Sequence, residues 1–189
     1  MKKLITTLSN IWKIEDLRVR IINTLLFLLI YRVGSYVALP CVDANALNSQ
    51  QAKEGLLGLL NMFAGGSFSR ASIFALGVMP YISASIVIQL FGIAIPYFTK
   101  LQKEGESGRN KLNQWTRYLT IGITALQAVG YVRSQVPPDA ISPAINGFTF
   151  NVLSVVVLTA GTLFVMWLGE KITDKGIGNG ISLIIMVGI

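Results

Sequence analysis

The chain has 189 residues, of which 52% are hydrophobic and 13% charged, a charged share about half the ~25% usual in soluble globular domains. With no histidine and nine acidic residues it offers few groups for acid–base or metal chemistry, and its single cysteine, Cys41, excludes an internal disulfide framework. A net charge of +7 suits nucleic-acid binding only if the basic residues are not sorted by membrane topology instead.

Residues 1–20 are amphipathic. Leu4, Ile5, Leu8, Ile11 and Trp12 recur at helical spacing beside Lys2, Lys3, Lys13, Arg18 and Arg20, the pattern of a helix in the cytoplasmic membrane interface, with a soluble leader helix as the alternative. The apolar run 21–39 is 19 residues long with Arg32 as its one charge. A signal-peptide core is about 7–15 residues, whereas this run, at about 1.5 Å per residue, crosses a hydrocarbon core of roughly 30 Å. It is predicted as the first transmembrane helix, closed by Pro40.

The polar stretch 41–55 follows, and then an apolar run, 56–64, of only nine residues that leads into Gly65, Gly66, Ser67 and Arg70. A broken, partly polar segment survives at membrane depth only where protein or a water-filled cavity satisfies its amides, so 56–75 is predicted to fold back as a re-entrant segment. The run 78–98 is predicted as the second span, its body lying between Pro80 and Pro96. A cytoplasmic loop is expected over 99–114 and a third span over 115–133, bounded by interfacial Trp115 and by Arg133. The run 148–168 holds 21 residues without a charge and is the clearest span. A second cytoplasmic loop is expected over 169–180, and 181–189 begins a fifth helix.

With a cytoplasmic N-terminus, these spans place 12 of the 16 basic residues on one side. Only Arg32, Lys53, Arg70 and Arg133 lie on or near the other, so the charge reads as membrane topology.

Within 65–90, Val78, Ile82 and Ile86 recur at four-residue spacing and form one aliphatic stripe, with Ser83 and Ser85 on adjoining faces. Such a stripe is ordinary packing in an isolated helix; directly after a re-entrant segment it also suits a constriction that excludes ions by dewetting. Arg70 is the one cation of that region, and either serves a site or snorkels to the interface. Gln127 lies mid-span and needs an interhelical partner, Ser83 being one candidate. Gly176, Ile177, Gly178, Asn179 and Gly180 lack the strand and the Lys-Ser/Thr pair of a nucleotide loop and are expected to form a flexible turn. Ile181 and Ile185 beyond it again share one face.

Four stretches, YRVGSYVALP (31–40), NMFAGGSFSRASIFALGVMPYISASIVIQL (61–90), KEGESGR (103–109) and WLGEKITDKGIGNGIS (167–182), together resemble the SecY family, the pore-forming subunit of the bacterial Sec protein translocase. The resemblance runs from about Ile11 to the end of the chain. It implies an all-α polytopic membrane protein, with this chain as helices 1 to 5, the fifth incomplete, of a ten-helix inverted-repeat channel. The chain is accordingly expected to be a piece of a longer protein.

The same resemblance implies a plug at Asn61, Met62, Phe63, Gly65, Gly66, Phe68, Ser69 and Arg70. Val78, Ile82, Ile181 and Ile185 resemble pore-ring positions, Val78 departing from an isoleucine common there. Ser83, Ile86, Val87, Leu90 and Gln127 resemble one wall of a lateral gate. Lys100, Lys103, Arg109, Lys111 and Arg117 are expected to meet cytoplasmic partners.

The implied function is passive conduction of unfolded preproteins across the inner membrane, with lateral release of membrane segments. The subunit makes or breaks no bond and uses no cofactor or metal. Implied partners are small SecE-like and SecG-like membrane subunits, a SecA ATPase motor or a ribosome with its nascent chain, signal sequences, and the lipid bilayer, without sequence-specific nucleic-acid binding. The residues leave one alternative, an ion-coupled small-solute transporter with broken helices. That reading needs a polar midplane site, where this sequence has aliphatics. An intramembrane hydrolase fits less well, since the spans carry no histidine or mid-span aspartate.

Overall fold

A computed structural model describes residues 14–42, 70–136, 141 and 145–188. The expected plug residues Asn61 to Ser69, and residues 1–13 of the amphipathic segment, lie outside the described residues. The described residues form six helices: α1 Glu15–Gly34, α2 Met79–Ala94, α3 Pro96–Lys103, α4 Glu106–Gln135, α5 Gly147–Lys175 and α6 Gly180–Gly188. Extended pairing among them is confined to two isolated antiparallel bridges, Ala38 with Ser72 and Val42 with Ile141.

Helix α1 starts at Glu15, so residues 15–20 are its first turns. Glu15 and Asp16 stand in the first turn and Arg32 in the last, each charge complementing the helix dipole. The helix stops at Gly34, five residues before the expected end of the first span: Ser35 donates its N–H to Tyr31 O at 3.0 Å and its hydroxyl to Arg32 O at 2.7 Å. The chain then extends and pairs with the segment entering α2.

The expected single span over 78–98 is two helices meeting at 100°. Ile95 is extended, at φ −113° and ψ 120°, the conformation forced on a residue that precedes proline, and Pro96 opens α3 at a position where its missing N–H is harmless. The expected loops are partly helical too. α3 and the first turns of α4 occupy most of 99–114, and 170–175 continues α5, because helical hydrogen bonding does not stop at the membrane surface.

By length and composition, α5 is the one described helix fit to cross a membrane, and the α2–α3 pair is a second if it counts as one broken span. α4 packs against α2 and α5, and α6 against α5 and α1. Two clusters form the core: Leu39, Ala75, Tyr131, Phe150 and Leu158 centre one; Tyr31, Phe74, Val78, Val165, Leu168, Ile172 and Ile184 form the other. Close approaches depend on missing side chains. A Cβ on Gly161 would strike the carbonyl of Ile73, and one on Gly180 the carbonyl of Gly169, the small-residue contacts by which membrane helices pack.

Candidate functional site

The segment entering α2 is anchored before the helix starts. Leu39 N–H donates to Ala71 O at 2.7 Å and Ile73 N–H to Val37 O at 2.9 Å, while Ala71, 1% exposed, takes a left-handed φ of +46°. Phe74 stacks on Tyr31 at 6.0 Å and on Phe164 at 5.8 Å between ring centroids. Gly34 lies where any side chain would collide with the Phe74 ring. Gly77, at φ +53°, then turns the chain into α2 with Val78 as N-cap residue.

This geometry holds Val78 and Ile82 toward α6. Val78, Ile82 and Ile185 line a cavity of about 190 Å³ with Tyr31, Leu76, Gly77 and Met79. Ile181 joins the same apolar cluster but is not part of the cavity wall; its Cγ1 lies over Gly169. The four residues are therefore brought together, three of them around one void and the fourth one turn away. No charged side chain lines that void.

On α2, Ile86 and Leu90 are 51% and 57% exposed and fall on one face with exposed Met79, Ser83 and Ile93; Val87 is half-buried. The opposite face, Pro80, Ala84, Ile88 and Gly92, is buried. Gln127 is exposed on α4. The candidate bond between Ser83 and Gln127 does not form: Ser83 Oγ donates to Met79 O at 3.1 Å, since a serine in a helix satisfies itself on the preceding turn.

Arg70 is half-buried, with its guanidinium 4.5 Å from the Tyr36 ring centroid; Arg32 reaches the same ring at 5.5 Å. Both cations thus gather where α1 ends. Lys100 and Lys103 are exposed on α3, and Arg109 and Lys111 on the first turns of α4. Arg117 has a different role from its neighbours. It makes a two-pronged ion pair with Glu170 of α5, Nε to Oε1 at 3.3 Å and Nη2 to Oε2. Sequence reasoning missed Glu170, Tyr31, Leu76 and Phe74. The acid and the arginine each flank a predicted span, the one sequence signal that could have paired them.

The turn at 176–180 is tied down rather than loose. Thr24 Oγ1 accepts Ile177 N–H at 3.1 Å, Thr173 Oγ1 accepts Gly180 N–H at 2.9 Å, and Asn179 Oδ1 accepts from Ile181 and Ser182 N–H at 3.1 and 3.3 Å. These bonds fix the start of α6, and with it Ile181 and Ile185. Among the described residues no group of His, Cys, Asp and Glu is arranged to hold a metal.

The SecY family model matches residues 72–189. The chain belongs to the SecY family. It is 49% identical to the protein translocase subunit SecY of Rickettsia typhi over 180 residues, 93% of this chain and 42% of that protein. Against the same subunit of Buchnera aphidicola it is 44% identical, covering all of this chain and 44% of the relative, and against that of Escherichia coli K12 46% identical, covering 92% and 40%. The chain thus spans about two-fifths of the length of these SecY relatives. Two solved structures share its fold at a TM-score of 0.62 and 20% identity, over 90% of this chain and 36% of theirs: Sec61 in the canine ribosome–channel complex of the endoplasmic reticulum, and a protein conducting channel.

Proposed function

We propose that this chain forms one side of a passive channel for unfolded polypeptides in a bacterial inner membrane, with its N-terminus cytoplasmic. The observation that carries this reading is the uncharged cavity between Val78, Ile82 and Ile185, set beside an exposed apolar stripe on α2 in a SecY family chain. The cavity acts as half of a deformable seal, and the stripe Ser83, Ile86, Leu90 receives signal sequences or releases apolar segments to lipid. Arg70 marks the root of the plug. The cavity wall carries no charged side chain; on this reading the energy for movement comes from a cytoplasmic motor or ribosome, docked over Arg109 and Lys111, with small SecE-like and SecG-like subunits alongside. The basic residues on one face support the orientation.

Photo-crosslinkers at Ile82 and Leu90 test the reading in the assembled membrane complex, with a stalled secretory precursor. Both positions should capture the precursor, and the same probe at exposed Leu26 on α1 should not. Equal capture at all three, or capture at Leu26 alone, overturns the proposal.

A further inference from the structure

The turn that leads into α6 is held from a separate helix. α5 ends at Lys175, and Gly176 N–H still closes on Ile172 O at 2.8 Å. Ile177 N–H lies past the hydrogen-bond ladder of α5 and ahead of that of α6, so it needs an acceptor from elsewhere. That acceptor is Thr24 Oγ1 on α1, at 3.1 Å and 153 residues away in sequence. Thr173 and Asn179, which accept the amides at the start of α6, belong to α5 and to the turn itself.

Thr24 and Tyr31 are the buried residues of α1. The Thr24 hydroxyl donates to Arg20 O at 2.8 Å, the usual bond of a threonine within a helix, and this fixes a lone pair toward Ile177. Gly176 leaves the approach open, since a Cβ there would lie 2.5 Å from Thr24 Oγ1. Arg20 Nη1 and Asn23 Nδ2 donate to Gly176 O and Lys175 O, each at 3.4 Å, longer and weaker bonds to the same turn. Two helical turns along α1, Tyr31 falls on the same face as Thr24 and lines the cavity with Val78, Ile82 and Ile185. One face of α1 therefore meets both the root of α6 and the cavity that α6 borders.

We propose that Thr24 is a positioning residue for signal-sequence discrimination. Its hydroxyl sets where α6 starts, and so how closely Ile185 approaches Val78 and Ile82, which fixes how strong a signal sequence must be to open the constriction. Thr24 stands in the apolar run 21–39, where an aliphatic side chain of the same shape would pack as well. What the hydroxyl adds is the acceptor for Ile177. The inference rests on the reading of the cavity as half of a seal, and it makes α1 a determinant of specificity without contact between Thr24 and the conducted chain.

The test uses the full-length chain in its assembled membrane complex. Thr24→Val keeps the shape and removes the acceptor, Thr24→Ala removes it with a smaller side chain, and Thr24→Ser retains it. Hydrogen exchange over 176–182, read by mass spectrometry, reports the hold on the turn. One hydrogen bond shifts a local opening equilibrium about fivefold, so the valine and alanine variants should exchange about fivefold faster there and the serine variant like the parent. Export of one preprotein with an intact or a weakened signal sequence, per assembled complex, reports the consequence. The intact-to-weakened ratio should fall by up to about fivefold, the full effect of the lost bond, in the valine and alanine variants, and serine should restore it. Exchange unchanged in the valine and alanine variants, or a serine variant as altered as they are, overturns the proposal. So does a proportional loss of both exports with the ratio unmoved, the mark of a merely structural threonine. Ile82→Asn, run in parallel, separates the two readings. If it lowers the ratio while Thr24→Val does not, the proposal falls and the seal stands; if neither lowers it, the seal reading falls and takes the proposal with it.

Discussion

Arg117 on α4 and Glu170 on α5, 53 residues apart in sequence, face each other through two parallel N–H to oxygen contacts. The pair joins two long helices near the ends of their apolar stretches, where a bidentate guanidinium gains geometric definition that a lysine lacks. Both side chains remain partly exposed, at 49% and 28%, so solvent screens them and the pair contributes about 0.2–1 kcal/mol. A double-mutant cycle with Arg117→Gln and Glu170→Gln, read by thermal unfolding of the purified complex, should return a coupling in that range that shrinks at high salt. A coupling above about 3 kcal/mol would instead place the pair in the class of desolvated bridges.

Phe74 makes a sharper prediction. It is 4% exposed, is stacked between Tyr31 and Phe164, and occupies the space that Gly34 leaves open. Phe74→Ala should destabilise by about 3–5 kcal/mol, the usual cost of emptying a well-packed aromatic site. Phe74→Leu should recover a large part of that loss. If the alanine variant unfolds within one or two degrees of the parent, Phe74 does not hold the entry to α2 as described.

Several of these relationships were legible in the sequence and others were not, for physical reasons. The uncharged run 148–168 is apparent because lipid tolerates no charge, yet α5 continues to Lys175, since polar turns beyond the bilayer still satisfy their own backbone. The four-residue spacings of Val78 with Ile82 and Ile181 with Ile185 foretell shared faces. They do not foretell that Ile181 turns to Gly169 while Ile185 reaches the cavity, because that depends on how closely α6 approaches α5. Pro96 was read as the end of a span, whereas the chain bends at Ile95 and resumes as helix. Gln127 needs a partner and Ser83 is one polar candidate, but a serine hydroxyl one turn from a carbonyl that can accept a second bond needs no distant partner.

Asn179 offers a test of how α6 is positioned. Its Oδ1 accepts the N–H groups of both Ile181 and Ser182, two donors that the first helical turn cannot otherwise satisfy. Asn179→Ala should cost about 0.5–2 kcal/mol, and Asn179→Asp or Asn179→Ser should cost clearly less. Thermal unfolding of the three variants checks the order. A serine variant as damaged as the alanine one would show that Asn179 acts through something other than its cap. Loss of the cap also loosens Ile185, so the alanine variant should leak more ions than the parent at equal expression.

Substitutions at Val78 and Ile82 should act in opposite directions. Val78 is 7% exposed and borders a cavity of about 190 Å³, so Val78→Ile has room for one methylene without the ~1–3 kcal/mol strain of overpacking a filled core. The added group should narrow the cavity and lower ion conductance of the resting channel, with stability unchanged or slightly raised. Ile82→Asn should do the reverse. If Ile82 belongs to the proposed seal, the amide lets water bridge it, and conductance should rise together with acceptance of weak signal sequences. Planar-bilayer recordings of the assembled complex decide the matter. Equal conductance in both variants would mean that the void between Val78, Ile82 and Ile185 lies off the conducting path, whatever the family of the chain.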